Sequence, residues 1–362
     1  MTDKDLRLPV TLFTGFLGAG KTTLLNSILQ DGAAGRIAVV VNEFGQAGLD
    51  HDLIATADED IVLMQSGCLC CSIRGDLSRT IGELLARRGT GAVAFDRVVI
   101  ETTGLADPAP ILQTLLVDPA LAAALRMDGV VTLADAAAGP ATLDAQFEAV
   151  SQVAMADLIV VSKIDLVTQS EAREFQDRLR RLNPTARIVL ADHGNVPAPR
   201  LFGLSGLRHD AHAYQALTWL TPPKPDPLAN LSGLAPMSGS AAASPHDTRI
   251  QSVSIVLDHP LPDAPFDLWL DTLIALKGPD ILRVKGIVFL KGIERPFVFH
   301  GVQHIFDPPV QLKDWPSGDT RSRIVVIARD LTRPELQRSF DMLRASQPAE
   351  YPVDDNKKVA LP

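Results

Sequence analysis

The strongest constraint on this chain is a short run near its start, Gly15-Phe16-Leu17-Gly18-Ala19-Gly20-Lys21-Thr22-Thr23. It sits between a β-branched apolar stretch, Val10–Thr14, and a helix-like one, Thr22–Gln30. GxxxxGK[ST] between a strand and a helix is the pattern of a phosphate-cradling loop. Its glycines let successive backbone N–H groups turn inward around an anion, where a Cβ would obstruct them. The helix that follows points its positive end at the same anion. Gly15, Gly18, Ala19, Gly20, Lys21, Thr22 and Thr23 are therefore candidate nucleotide contacts. Lys21 can reach the β- and γ-phosphates, and the Thr22 hydroxyl can ligate Mg²⁺.

The texture around the loop extends the argument. Val10–Thr14, Ile37–Val41, Ile61–Met64, Val98–Glu101, Val130–Leu133, Leu158–Val161 and Ile188–Leu190 are apolar runs without polar alternation, as strands covered on both faces require. Helix-like stretches lie between them: Leu77–Arg87, Ile111–Val117, Ala145–Ala154 and Glu171–Leu182. Strand–helix alternation predicts an α/β P-loop NTPase domain with a doubly wound, mostly parallel sheet over residues 1–220. Residues 221–248 hold six prolines among Gly, Ser and Ala and read as a linker. Beyond it, Ile250–Leu257, Ile281–Leu290, Pro296–Phe306 and Ser322–Ala328 read as strands, and Phe266–Leu276 and Pro334–Arg344 as helices. Strands joined without intervening helices predict a smaller α+β domain over 249–347, with a frayed tail at 348–362. Alternating aromatics such as Phe297 and Phe299, and Trp269, are read as core in preference to a binding surface.

Charge narrows the partners. Lys and Arg total 34 against 43 Asp and Glu, a net −9, which argues against nucleic acid or anionic membrane as a partner. Met1 to Pro9 lacks the apolar core of a signal peptide, and no apolar run approaches the ~20 residues of a membrane span. A cytoplasmic protein is expected.

Two strand ends refine the nucleotide. Leu158–Val161 runs into Ser162-Lys163-Ile164-Asp165, which resembles the NKxD guanine motif of GTPases. The Asp165 carboxylate can accept from guanine N1–H and the 2-amino group, a donor pair adenine lacks, while the Lys163 methylenes pack along the base. Ser162 stands where Asn is usual. Val98-Val99-Ile100-Glu101-Thr102-Thr103-Gly104 puts an acid at a strand tip for the Mg²⁺ shell, with Gly104 able to sense a γ-phosphate. A second candidate switch, Asn42 to Asp50, offers Asp50 for the Mg²⁺ shell or attacking water and Glu43 for a second metal. Lys21, Glu101 and Asp50 are the candidate catalytic groups. No general base is evident, and phosphoryl transfer relies chiefly on positioning and charge neutralisation.

All three cysteines fall in Gly67-Cys68-Leu69-Cys70-Cys71. In an extended chain Cys68 and Cys70 share a face and Cys71 opposes them, so convergence needs a bend, which Gly67 permits. Three thiolates suit a soft or borderline ion such as Zn²⁺, leaving a fourth position for water, Glu43 or a partner's ligand. Buried structural cysteines and a redox pair are the competing readings.

Together GFLGAGKTT, VNEFGQAGLD, GCLCC, ETTGLADP and SKID resemble the CobW-like metal-chaperone GTPases, relatives of HypB and UreG. Segments Ile281–Gly286 and Trp315–Leu331 resemble that family's C-terminal domain. The resemblance implies a GTPase that binds Zn²⁺ or Co²⁺ at Cys68, Cys70 and Cys71 and couples GTP hydrolysis to delivery to a client metalloprotein. It also implies that Cys71, Ser72, Ile73 and Arg74 lie near the nucleotide. Many members have an acid at the position of Gln46 and a His-rich stretch, of which this chain has only His246 in the linker with His193, His209 and His212 upstream. The C-terminal domain is read as recognising the client or mediating a homo-oligomer. The alternatives are a metal-independent regulatory GTPase and a P-loop ATPase or kinase.

Overall fold

The computed structural model describes residues 5–42, 61–66, 73–205, 217, 220, 249–313, 315 and 318–345. The expected linker 221–248 and the tail 348–362 lie outside them.

All seven strands expected in the first part of the chain form one parallel sheet. They are β1 (Leu8–Gly15), β2 (Ile37–Asn42), β3 (Ile61–Ser66), β4 (Arg97–Thr102), β5 (Leu125–Asp135), β6 (Leu158–Ser162) and β7 (Arg187–Leu190). Their order is β3-β2-β4-β1-β5-β6-β7. β1 is central, so the chain leaving it opens between two sequence-distant neighbours, where open α/β sheets bind ligands. The helices are α1 (Lys21–Gln30), α2 (Ile73–Gly89), α3 (Ala109–Val117), α4 (Pro119–Ala124), α5 (Gly139–Ala145), α6 (Phe147–Met155) and α7 (Gln169–Leu182). Val10, Leu12, Val98 and Ile100 pack to one side of the sheet. Phe13, Val39, Val99 and Val131 pack to the other, with Leu24, Leu25 and Ile28 of α1. Burial on both faces is why these strands read as unbroken apolar runs.

Local chemistry sets several helix ends. Thr168 caps α7 and Glu171 returns the bond, a capping box worth about 1 kcal/mol. Asp118 accepts from Ala120 and Leu121 and starts α4. The stretch Ala145–Ala154, expected as one helix, is broken. Gln146 is extended (φ −128°, ψ 112°) and separates α5 from α6. Neither α4 nor α5 was anticipated, because each is under eight residues and lacks a full amphipathic period.

The second sheet is antiparallel: β8 (Ile250–Leu257), β9 (Ile281–Val288), β10 (Phe297–Val302), β11 (Ile305–Phe306), β12 (Val310–Gln311) and β13 (Ser322–Arg329). Its order is β11-β10-β9-β13-β8, with β12 beside β10. The expected strand Pro296–Phe306 turns back on itself, because Gln303 takes a left-handed conformation (φ 56°) between β10 and β11. Helices α8 (Asp263–Lys277), α9 (Arg333–Ser339) and α10 (Asp341–Ala345) cover one face. Trp269 and Phe299 are core residues there, with Trp269 stacked on Phe340 at 5.6 Å, and Phe297 is half-buried.

The other face of this sheet packs against the first domain. One apolar cluster runs from Val150 and Val153 of α6 to Leu282, Ile287 and Ile327. Within it lies a buried ionic group. Asp157, just before β6, receives Arg283 at 2.5 Å and Lys285 at 2.8 Å. Arg283, Lys285 and Ile287 share one side of β9, as a two-residue period requires. Burial pushes the Asp157 carboxyl up, but Arg283, Lys285 and His300 overcome that and hold it below the ordinary range. Burial pushes the Lys285 amine down to about 8, against the pull of Asp157. His300 in turn bonds Asp307.

Candidate functional site

The loop between β1 and α1 has the geometry its residues predict. Gly18 and Gly20 take φ of 72° and 96°, values that an L side chain resists. Gly20 caps α1 without any side-chain bond, and no acid occupies its first turn. The leading amides of α1 therefore lack a side-chain acceptor, as an anion site needs. Lys21 folds back, its Nζ donating to Gly15 O at 2.8 Å and Phe16 O at 3.1 Å, across the mouth of the loop.

The tip of β4 meets this loop. Thr22 Oγ1 donates to Glu101 Oε1 at 3.3 Å, joining two sequence-predicted residues 79 positions apart. Both are oxygen donors, which fits a hard cation such as Mg²⁺. Thr102 Oγ1 bonds Thr14 Oγ1 at 2.8 Å and locks β4 to β1. Gly104 lies against the loop so closely that a Cβ there would come within 2.5 Å of Leu17 N. Only glycine permits that approach.

Beside the loop is a cavity of about 210 Å³ whose lining includes Ala19, Gly20, Thr23, Ser162, Lys163 and Asp165, with His193 and Gly194. Ser162 is buried, and its Oγ donates to Ala19 O at 2.7 Å. A hydroxyl thus ties the end of β6 to the phosphate loop. Lys163 takes a left-handed turn (φ 54°), and its Nζ pairs with Asp135 Oδ2 at 2.6 Å. Asp135 Oδ1 meanwhile accepts from the Ala137 and Ala138 amides. Asp165 is partly exposed, with His193 Nδ1 at 3.8 Å from its carboxylate.

Four residues at or beside the site were not singled out as site residues from sequence. Asp135 ends a strand, and its signal was an acid directly following Val130–Ala134. His193 and Gly194 form a tight turn after β7, legible only as a lone His-Gly. Gln152 lies 1% exposed in α6, and its Nε2 donates to Gly104 O at 3.2 Å and Ala106 O at 3.0 Å. Its signal was an amide within the otherwise apolar Val153–Met155 neighbourhood.

Glu43, Gln46, Asp50, Cys68, Cys70, Cys71 and Ser72 lie outside the described residues, as do His209, His212 and His246. Ile73 and Arg74 open α2. The strands that precede residues 43–60 and 67–72 are described. Asn42, the last residue of β2, pairs with Ser66 on one side and Thr102 on the other. Both β2 and β3 therefore end on the same sheet edge as Glu101. Among the described residues, no three His, Cys, Asp or Glu side chains converge as a metal site. No described helix is long and apolar enough to cross a membrane.

Residues 9–190 match the model of the CobW/HypB/UreG nucleotide-binding domain. Residues 250–344 match the cobalamin synthesis protein cobW C-terminal domain. The chain belongs to this family. It is 33% identical over 341 residues to the zinc chaperone YjiA of Escherichia coli, covering 93% of this chain and 99% of that one. It is also 33% identical over 206 residues to the zinc-regulated GTPase metalloprotein activator 1 of Schizosaccharomyces pombe, covering 54% and 49% of the two chains. The crystal structure of Zn(II)-bound YjiA GTPase from E. coli superposes with a TM-score of 0.70 at 28% identity, covering 93% of this chain and 99% of that one. This CobW-family chain thus has both of the family's domains in the family's order.

Proposed function

We propose that this protein is a GTP-hydrolysing metallochaperone that binds Zn²⁺ through Cys68, Cys70 and Cys71 and hands it to a client metalloprotein. The observation that carries the reading is the pairing of an open phosphate loop with the Ser162–Asp165 pocket, in a chain that is similar to a zinc chaperone along 93% of its length.

The residues divide the work. The loop amides from Gly15 to Thr23 and the α1 N-terminus hold the phosphates. Lys21 exchanges its two carbonyl partners for β- and γ-phosphate oxygens, so its charge is positioned before the nucleotide arrives. Thr22 and Glu101 would hold Mg²⁺, which would supply charge neutralisation at the phosphates when bound. Asp165 accepts from the guanine edge, and Asp135 fixes Lys163 so that its methylenes lie along the base. Gly104 offers its amide to the γ-phosphate, and Asp50 orients the attacking water. Hydrolysis needs no strong base here, because charge neutralisation and in-line placement carry most of the barrier reduction.

Coupling follows from position. The segments holding Glu43 and Cys68–Cys71 leave the sheet from β2 and β3 beside Glu101. A switch that orders around γ-phosphate there alters the metal ligands, and linkage makes the effect reciprocal. Co²⁺ is the competing cargo, since thiolates accept both ions.

The test is a Zn²⁺ titration of the purified full chain in its GDP state and with a non-hydrolysable GTP analogue, alongside phosphate release from GTP. One tight site per chain is expected, lost in the Cys68→Ser/Cys70→Ser/Cys71→Ser variant, with affinities that differ between nucleotide states. Equal affinities sink the coupling. Retained Zn²⁺ in the triple variant overturns the cysteines as ligands, absence of Zn²⁺ binding by the wild-type chain points to a metal-independent GTPase, and preference for ATP points to an ATPase or kinase.

A further inference from the structure

α6 is unusual among the helices of the first domain. Seven consecutive residues, Ala149 to Met155, are buried, so past its exposed Glu148 it has no solvent face. A helix enclosed on every side is held between two bodies, here the parallel sheet and the second domain. Toward the sheet, Thr132 Oγ1 of β5 donates to Gln152 O at 2.9 Å. Toward the second domain, Val150 and Val153 join the cluster of Leu282 and Ile327. At its start Arg249 stacks over Phe147 at 4.4 Å, and just past its end Asp157 takes Arg283 and Lys285. Asn183 further pins the end of the helix by donating to Val153 O, Ala154 O and Ala156 O at 2.9, 3.0 and 2.9 Å.

One side chain of this helix reaches the candidate switch. The two bonds from Gln152 Nε2 grip the carbonyls of Gly104 and Ala106. Gly104 is the residue whose backbone already presses against Leu17 of the phosphate loop. The gripped turn is short, closed by Ala106 N to Thr103 O at 3.1 Å. That bond holds the peptide plane that carries the Gly104 N–H, and the grip on Gly104 O holds the next plane, so the direction of the Gly104 amide is set from both sides. Meanwhile Gln152 Oε1 is buried with no hydrogen-bond partner among the described residues. A buried amide that leaves its own acceptor unmet in order to bridge two switch carbonyls is costly for stability alone.

We propose that Gln152 is a positioning residue for hydrolysis: it aims the Gly104 peptide at the γ-phosphate and, through α6, ties that peptide's position to the second domain. The inference rests on the GTP reading above. A shift of the switch pulls on Gln152. The pinned helix has little room to bend, and its far contacts are the Asp157 ion pairs and the Phe147–Arg249 stack. The second domain, where a client is expected to dock, thereby senses which nucleotide is bound.

The experiment uses the full-length chain with Gln152→Met, which keeps the volume and removes the donor. Wild type is first shown to bind and hydrolyse GTP; failure there overturns the GTP reading itself and not the role of Gln152. Given that activity, the variant is expected to lose some melting temperature, because two carbonyls lose their donor, and to keep its GDP affinity within about twofold. Its kcat should fall on the order of tenfold, and it should lose by a similar factor the preference for a non-hydrolysable GTP analogue over GDP. A purely structural glutamine would lower stability and leave that ratio alone. Gln152→Leu, which also lacks the donor but fills the space with a different shape, is the second variant if Met packs poorly. Unchanged kcat and unchanged analogue preference in a folded variant overturn the positioning role. For the link, hydrogen exchange in Ile281–Val288 should respond to the analogue in wild type and not in Gln152→Met. Equal responses overturn it.

Discussion

The two ends of one strand put similar side chains to opposite uses. Just before β6, Asp157 is 3% exposed and clasped by Arg283 and Lys285 across the domain boundary. Just after it, Lys163 and Asp165 are 38% and 37% exposed around a cavity. The first acid has every partner it needs within the protein, so it fastens. The second keeps its acceptor oxygens available, so it can recognise a ligand. Burial decides between them. A fully desolvated carboxylate must be paired internally, while a half-solvated one can exchange water for a base.

Replacing Asp157 by Ala tests the fastening end and should have the largest effect. It strands two buried cations, and about 3–5 kcal/mol of stability should be lost, measured by denaturant unfolding at pH 7. Nucleotide affinity of the folded fraction should stay put. A larger loss of affinity than of stability would erase the contrast. The same group has a pH signature. Its folded pKa lies below the unfolded value of about 3.9, so its contribution is complete above about pH 4 and is lost as pH falls through the folded value. Asp157→Asn should therefore lose less stability than wild type between about pH 5 and pH 3.

Asp165→Ala probes the recognising end. Losing a charged acceptor for two guanine donors should weaken fluorescent GDP by about 100-fold, with little change in melting temperature and none in ATP affinity. A matching loss for ATP would show that Asp165 holds the fold of the pocket instead of reading the base. Ser162→Ala is the smallest step. Removing the bond to Ala19 should cost about 1 kcal/mol, or roughly fivefold in GDP affinity. Ser162→Asn, which can reach the same carbonyl, should recover it. If Ala binds as well as Ser, the hydroxyl is not what joins the base pocket to the phosphate loop.

Much of this was legible in the chain. All seven parallel strands showed as apolar runs because double burial removes polar alternation, and the phosphate loop and Glu101 declared themselves by spacing. The departure at Ser162 also resolves in local terms, since a hydroxyl is long enough to reach Ala19. What was not legible shares one cause. Gln152 and Gly104 are 48 positions apart, Lys163 and Asp135 are 28 apart, and Arg283 and Asp157 are 126 apart. Arg283 and Lys285 even sit in a stretch read correctly as a strand, yet nothing in that stretch names a partner 126 positions away. The break at Gln146 was likewise missed, because residues on either side of it both suit helix.

The sequence by itself determined the phosphate-loop pattern, the seven strands of the first sheet, and the cysteine trio as metal ligand candidates. Those are local patterns whose geometry follows from period and spacing. Only the tertiary structure decided which charged groups fasten and which stay available, and that one buried helix lies between the Gly104 turn and the second domain. Those facts depend on which distant side chains share a desolvated space, and no stretch of chain carries that information alone.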